Sequence, residues 1–99
     1  MKLIEIAHAR SGDKGNNVNI GVVARKPEHY KILKEKLTES KVKDFLREFC
    51  LGKVERYELE NLSAINFVLH NCLRGGGTLN LKLDSQGKTL GMALLRMDL

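Results

Sequence analysis

Apolar residues fall along this chain in short blocks whose spacing changes, and the spacing predicts the elements. Leu3–Ala7 reads LIEIA and predicts a short strand, with Glu5 on the face opposite Ile4 and Ile6. Val18–Ala24 reads VNIGVVA. Val18, Ile20 and Val22 alternate with Asn19, Gly21 and Val23, which predicts a second strand. Gly21 inside it marks a bulge or the close approach of another element. Pro27 then opens a helical region, where Tyr30, Leu33 and Leu37 recur at three and four residues. Val42, Phe45, Leu46 and Phe49 resume that pattern in a new phase. The break predicts two helices or a kink, with Thr38 capping the second and Gly52 stopping the run.

Val54–Glu60, VERYELE, alternates well enough for an edge or half-buried strand. Leu62, Ile65, Leu69 and Leu73, with Val68 and Cys72 beside them, predict a helix that Ser63 caps and Gly75, Gly76 and Gly77 end. Leu79–Leu83 alternates as a strand, DSQGK is its turn, and LGMALLRMDL supplies a last strand after at most a short helical turn. Helices over one face of a mainly antiparallel sheet make an α+β two-layer sandwich, a single domain over residues 1–99.

Between the first two apolar blocks lies a polar stretch, ARSGDKGNNVNIG. It reads as a connection at one end of the sheet, far richer in polar groups than a two-residue hairpin turn needs. Gly12 and Gly15 free the backbone to turn several N–H groups toward an anion, and Arg10 and Lys14 add positive charge. Asp13 would repel an anion unless it is paired. The bland alternative is that Asp13, Asn16, Asn17 and Asn19 tie the connection to itself through Asx turns, and chemistry alone favours that reading over a ligand or interface. The pattern is not a Walker loop, since it opens no helix. His8, Ser11 and Asp13 do not make a triad merely by lying close together, and His29 and His70 are read as packing or solvated residues. No catalytic set, metal-ligand spacing or cofactor motif is present, so the stretch is expected to form a shaped contact surface with Arg10 and Lys14 facing outward.

Composition narrows the picture modestly. The formal charge is +5, from 17 Lys and Arg against 12 Asp and Glu, much of it interleaved with acids between Arg25 and Lys53. Such a face is ordinarily solvated, and five aromatic residues with no stacking pair leave nucleic acid the weakest of the readings. Cys50 and Cys72 are isolated in sequence among apolar neighbours, which predicts reduced, buried thiols and a cytoplasmic location. No signal peptide or membrane-spanning run is seen. The RGGGT stretch, Arg74–Thr78, carries more glycine than a helix end requires. It reads equally as an irregular crossover or as a surface that another chain or ligand approaches closely.

Three motifs in order, ARSGDKGNNVNIGVVAR, LSAINFVLHNCLRGGGT and LDSQGKTLGMALLRM, resemble the C-terminal domain of AtuA-family proteins, associated with acyclic terpene utilisation. The resemblance runs nearly end to end and implies a ferredoxin-like α+β fold. It also implies the free-standing form of the domain, a small accessory subunit that partners a large AtuA-like chain, in an oligomer handling terpenoid or branched acids as acyl-CoA thioesters. A self-contained small-molecule enzyme or ligand-binding domain is the alternative. The expected ligand- or interface-binding residues are Arg10, Ser11, Gly12, Asp13, Lys14, Gly15 and Asn19, with Arg74, Gly75, Gly76 and Gly77. Asn16 and Asn17 stand where many relatives are expected to carry an acidic-and-hydroxyl pair, so no ligand role is carried onto them.

Overall fold

The alternation of Val18, Ile20 and Val22 is realised as a strand whose three apolar side chains are fully covered. In the computed structural model, which describes residues 1–14, 17–72 and 87–99, that strand is β2, Asn17–Ala24. It pairs antiparallel with β1, Ala7–Lys14, on one side and with β4, Ala64–Leu69, on the other. Strand β3, Val54–Leu59, pairs antiparallel with β4, and the sheet order is β1-β2-β4-β3. Helix α1, Pro27–Lys36, and helix α2, Glu39–Phe45, follow β2, while helix α3, Gly87–Leu94, packs on β1 and β2. All three helices contribute to one core with Ile20, Val22, Ile65, Phe67 and Leu69, so they cover the same face of the sheet. This is the ferredoxin-like α+β arrangement that was expected.

The break between the two helices falls where the apolar phase changes. Thr38 caps α2, its side-chain oxygen accepting from the Lys41 amide at 3.2 Å. Tyr30 and Leu33 from α1 and Val42 from α2 are buried. Gly52 does not stop a helix, because α2 already ends at Phe45. Gly52 instead lies against the backbone of His70, accepted by its carbonyl at 3.0 Å.

Four further expectations are corrected. Leu3–Glu5 is a 3₁₀ turn, and the strand starts at Ala7, because Leu3 and Ile6, three residues apart, are the ones that enter the core. The polar stretch is not a connection: its first half is strand β1 itself, laddered to β2 through Lys14 opposite Asn17. Residues 62–72 are not a helix, and Leu73 lies outside the described residues. Glu60–Leu62 form a 3₁₀ turn, Ser63 ends that turn in the left-handed conformation at φ 50° rather than capping the start of a helix, and Ala64–Leu69 form β4, with Ile65, Phe67 and Leu69 alternating into the core. LGMALLRMDL is largely helix α3 and its exit, since Leu90, Leu94 and Met97 are the buried set and recur at helical spacing. The C-terminus pairs with the N-terminus instead, through Leu3 N to Met97 O at 2.8 Å and a bridge between Lys2 and Asp98. The glycine helix end at 75–77, the strand at 79–83 and the first part of its turn lie outside the described residues.

Cys50 and Cys72, isolated in sequence, stand opposite one another across an antiparallel bridge, both buried thiols. No helix among the described residues is long and apolar enough to cross a membrane.

Candidate functional site

With the helices on one side, the other face of the sheet is uncovered among the described residues. Strand register decides which residues stand there. Arg10 pairs with Gly21, Gly21 with Asn66, and Asn66 with Tyr57, which makes one row across all four strands. The next row runs Gly12, Asn19, Val68 and Glu55, and the row on the other side runs His8, Val23, Ala64 and Leu59. Arg10, Gly12, Val23, Tyr57 and Leu59 are exposed, and Asn19, Gly21 and Asn66 are half-buried. The face is therefore polar and flat at its centre, apolar along one side and cationic at the β1 edge.

Two glycines make that flatness. A Cβ at Gly12 would meet nothing within 4 Å, and one at Gly21 only Asn66 Oδ1, at 3.8 Å. Both strands thus present bare backbone beside Arg10, which makes no side-chain hydrogen bond or ion pair with any described residue. A guanidinium so placed offers its whole fork of donors to a carboxylate or phosphate arriving on the face.

The expected site residues separate by strand periodicity. Arg10, Gly12 and Asn19 share the open face. Ser11 lies on the covered face, where its hydroxyl accepts from the Gly91 amide of α3 at 3.2 Å. Asp13 sits in register with Val18 and Lys14 with Asn17. Gly15, Arg74, Gly75, Gly76 and Gly77 lie outside the described residues. His8 and Ser11 are on opposite faces of β1, so no Ser–His contact forms. His8 Nε2 faces the Arg25 guanidinium at 3.3 Å, while Arg25 Nε donates to Ile4 O at 2.9 Å. His70 follows β4 rather than lying on a helix and meets Glu55 at 2.8 Å, at the far edge of the open face. That hydrogen bond, more than any other influence, holds the Glu55 carboxyl below the usual carboxylate range. No group of three or more potential metal ligands occurs among the described residues.

A second polar cluster was not singled out from the sequence. Arg56, on the covered side of edge strand β3, donates to Lys34 O at 2.9 Å and to Glu58 Oε2 at 3.0 Å. Lys34 donates to Glu60 Oε1 at 2.7 Å and lies 5.6 Å from the centre of the Tyr30 ring. Burial first, then the charges of Glu60 and Glu58, raise the Tyr30 hydroxyl above its ordinary pKa, so it stays neutral. The Tyr30 hydroxyl and Arg56 Nε are buried without a hydrogen-bond partner among the described residues. The signal was present in VERYELE: Arg56 and Glu58 share the phase of buried Val54 and must meet a helix. The cluster fastens α1 to β3, and its cations are already matched by Glu58 and Glu60, unlike Arg10.

A family model, described as the AtuA ferredoxin-like domain, matches residues 1–99. No curated protein and no solved structure matches the chain.

Proposed function

Since this chain belongs to the AtuA ferredoxin-like domain family, we propose that it acts as a binding domain, an accessory subunit that docks on a large AtuA-like chain through the open sheet face. One observation carries the reading: Arg10 stands exposed and without a side-chain partner among the described residues, next to the bare backbone of Gly12 and Gly21. A partner surface brought against that backbone would desolvate Arg10 and must supply a carboxylate for it, while Val23 and Leu59 give the contact an apolar side. The finer reading is that the joint site handles terpenoid or branched acyl compounds, with Arg10 and Lys14 contacting the phosphates of an acyl-CoA.

Co-expression with a large AtuA-like chain, followed by size-exclusion chromatography and titration calorimetry, tests docking. A stoichiometric complex is expected, and Arg10→Glu should weaken it at least about tenfold, the scale of a lost charge pair in an interface. An unchanged affinity, or no complex at all, refutes the docking reading. Titration of the chain and of the complex with CoA and an acyl-CoA tests the ligand separately. Binding by the isolated chain at full strength would favour the self-contained ligand-binding domain over the subunit.

A further inference from the structure

Beyond β4 the chain continues alongside residues 50–53, and the pairing there is irregular. His70 N donates to Lys53 O at 2.9 Å, Gly52 N to His70 O at 3.0 Å, and Leu51 N to Asn71 O at 3.1 Å. Val54 stands opposite Leu69, yet Cys50 stands opposite Cys72. Residues 51–53 therefore oppose only 70 and 71, which is a bulge on the 51–53 side, and Asn71 on the facing side has φ 56°. The Leu51–Asn71 hydrogen bond flanks the two cysteines, so theirs is the narrow, non-hydrogen-bonded kind of antiparallel pair. Such pairs hold Cα atoms about 4.5 Å apart, and disulfides span roughly 4.4–6.8 Å. The residues are 3% and 6% exposed. Cys50 Sγ lies 3.4 Å from both Gly52 O and His70 O, and Cys72 Sγ lies 3.5 Å from Leu69 O.

The geometry points to Cys50 and Cys72 as a disulfide-forming site, oxidised by exchange with a small-molecule disulfide and reduced by a dithiol. In the first step the thiolate of Cys72, the more exposed of the two, attacks one sulfur of the oxidant. The oxidant's S–S bond breaks, one thiolate leaves, and a mixed disulfide forms on Cys72. In the second step the Cys50 thiolate attacks Cys72 Sγ and displaces the other half of the oxidant as a second thiolate. The cysteines lose two protons and two electrons, the oxidant gains both, and the products are one intrachain disulfide and two thiols. Burial raises the Cys50 thiol above its ordinary pKa, which slows the second step. The new bond would fasten Cys72, two residues before Arg74, to the segment that enters β3. The inference stands apart from partner docking and rests on none of the open-face residues.

Incubation of the whole, folded chain with oxidised glutathione tests it, followed by thiol counting in denaturant and intact mass. The expected result is loss of both thiols, a mass lower by two hydrogens, a monomeric band on a non-reducing gel, and full reversal by dithiothreitol. Closing the Cys50–Cys72 loop should also raise the melting temperature by roughly 10 °C. Cys50→Ser should instead stop at a stable glutathione adduct on Cys72, a readout that does not require the variant to be as stable as the parent. Retention of both thiols in the folded chain overturns the inference. So does oxidation only between chains, or a bonded form that melts below the thiol form.

Discussion

Replacing Gly52 by alanine distinguishes two reasons for a glycine between a helical segment and a strand. A helix-ending glycine needs the left-handed backbone, whereas Gly52 has no such φ and is needed for closeness alone. A Cβ built there would lie 2.7 Å from His70 O, a distance that real Cβ atoms do not keep, and 3.0 Å from His70 C, itself unusually tight. The obstacle is backbone, so no side chain can swing away. Relief must come from moving the strands apart, against the hydrogen bonds Leu51 N to Asn71 O at 3.1 Å, Gly52 N to His70 O at 3.0 Å and His70 N to Lys53 O at 2.9 Å. Overpacking of this kind costs about 1–3 kcal/mol. Alanine recovers about 0.4–1 kcal/mol by restricting the unfolded chain, because its backbone conformation here is an ordinary one. The net expectation is a loss of about 1–2 kcal/mol. In urea that lowers the midpoint by about 1 M at an m value near 1–2 kcal/mol/M, with m itself unchanged. Gly12→Ala is the control: its Cβ meets nothing within 4 Å, so only the unfolded-chain gain applies and stability should rise by about 0.4–1 kcal/mol. An unshifted or raised midpoint for Gly52→Ala would show that the bulge yields freely and would refute the close-contact argument.

Two other outcomes follow from the same structure. Thr38→Ala removes the oxygen that accepts from Lys41 N at 3.2 Å and should cost about 1 kcal/mol by urea titration, while Thr38→Ser should restore most of it. Glu55 has a folded pKa below its unfolded value near 4.3, so the stability it contributes is complete above that value and is lost as pH falls through the folded pKa. His70→Ala removes the hydrogen bond chiefly responsible, and melting scans from pH 6 to 3 should show a shallower acid decline. Parallel profiles for parent and variant would assign that decline to other carboxylates, Asp98 beside Lys2 among them.

The parts of the fold legible in the sequence were those where one face is apolar and the other is not. Val18, Ile20 and Val22 against Asn17, Asn19 and Gly21 state a half-covered strand plainly, and the phase change at Thr38 states a helix break. Strand β4 was obscured because it lies inside the sheet and is largely apolar on both faces. Ile65, Phe67 and Leu69 enter the core while Ala64 and Val68 line the open side, and such a run also satisfies helical spacing through Leu62, Ile65 and Leu69. The β-branched and aromatic residues Ile65, Phe67 and Val68 were the available arbiters. Helix α3 was obscured by Gly91, an expensive residue in a helix.

Gly91 and the misread polar stretch have one cause. A Cβ at Gly91 would stand 3.2 Å from Ser11 N and 3.3 Å from Arg10 C, so α3 rests almost on the backbone of β1. A helix that close leaves room only for small side chains beneath it, and β1 supplies Ala7, Ala9 and Ser11 at alternate positions. Strand β1 thus has a covered face without large apolar residues and an open face with His8, Arg10 and Gly12, which together look like a loop. The same close packing sorts the candidate site. It turns the Ser11 hydroxyl toward the helix and leaves Arg10, its neighbour on the opposite face, to project over the bare strands at Gly12 and Gly21. Gly91→Val should therefore push α3 off β1 and lower stability by about 1–3 kcal/mol. It should weaken the proposed docking only through that displacement, so a variant that docks normally while melting lower would show that Arg10 is positioned by the sheet rather than by the helix beneath it.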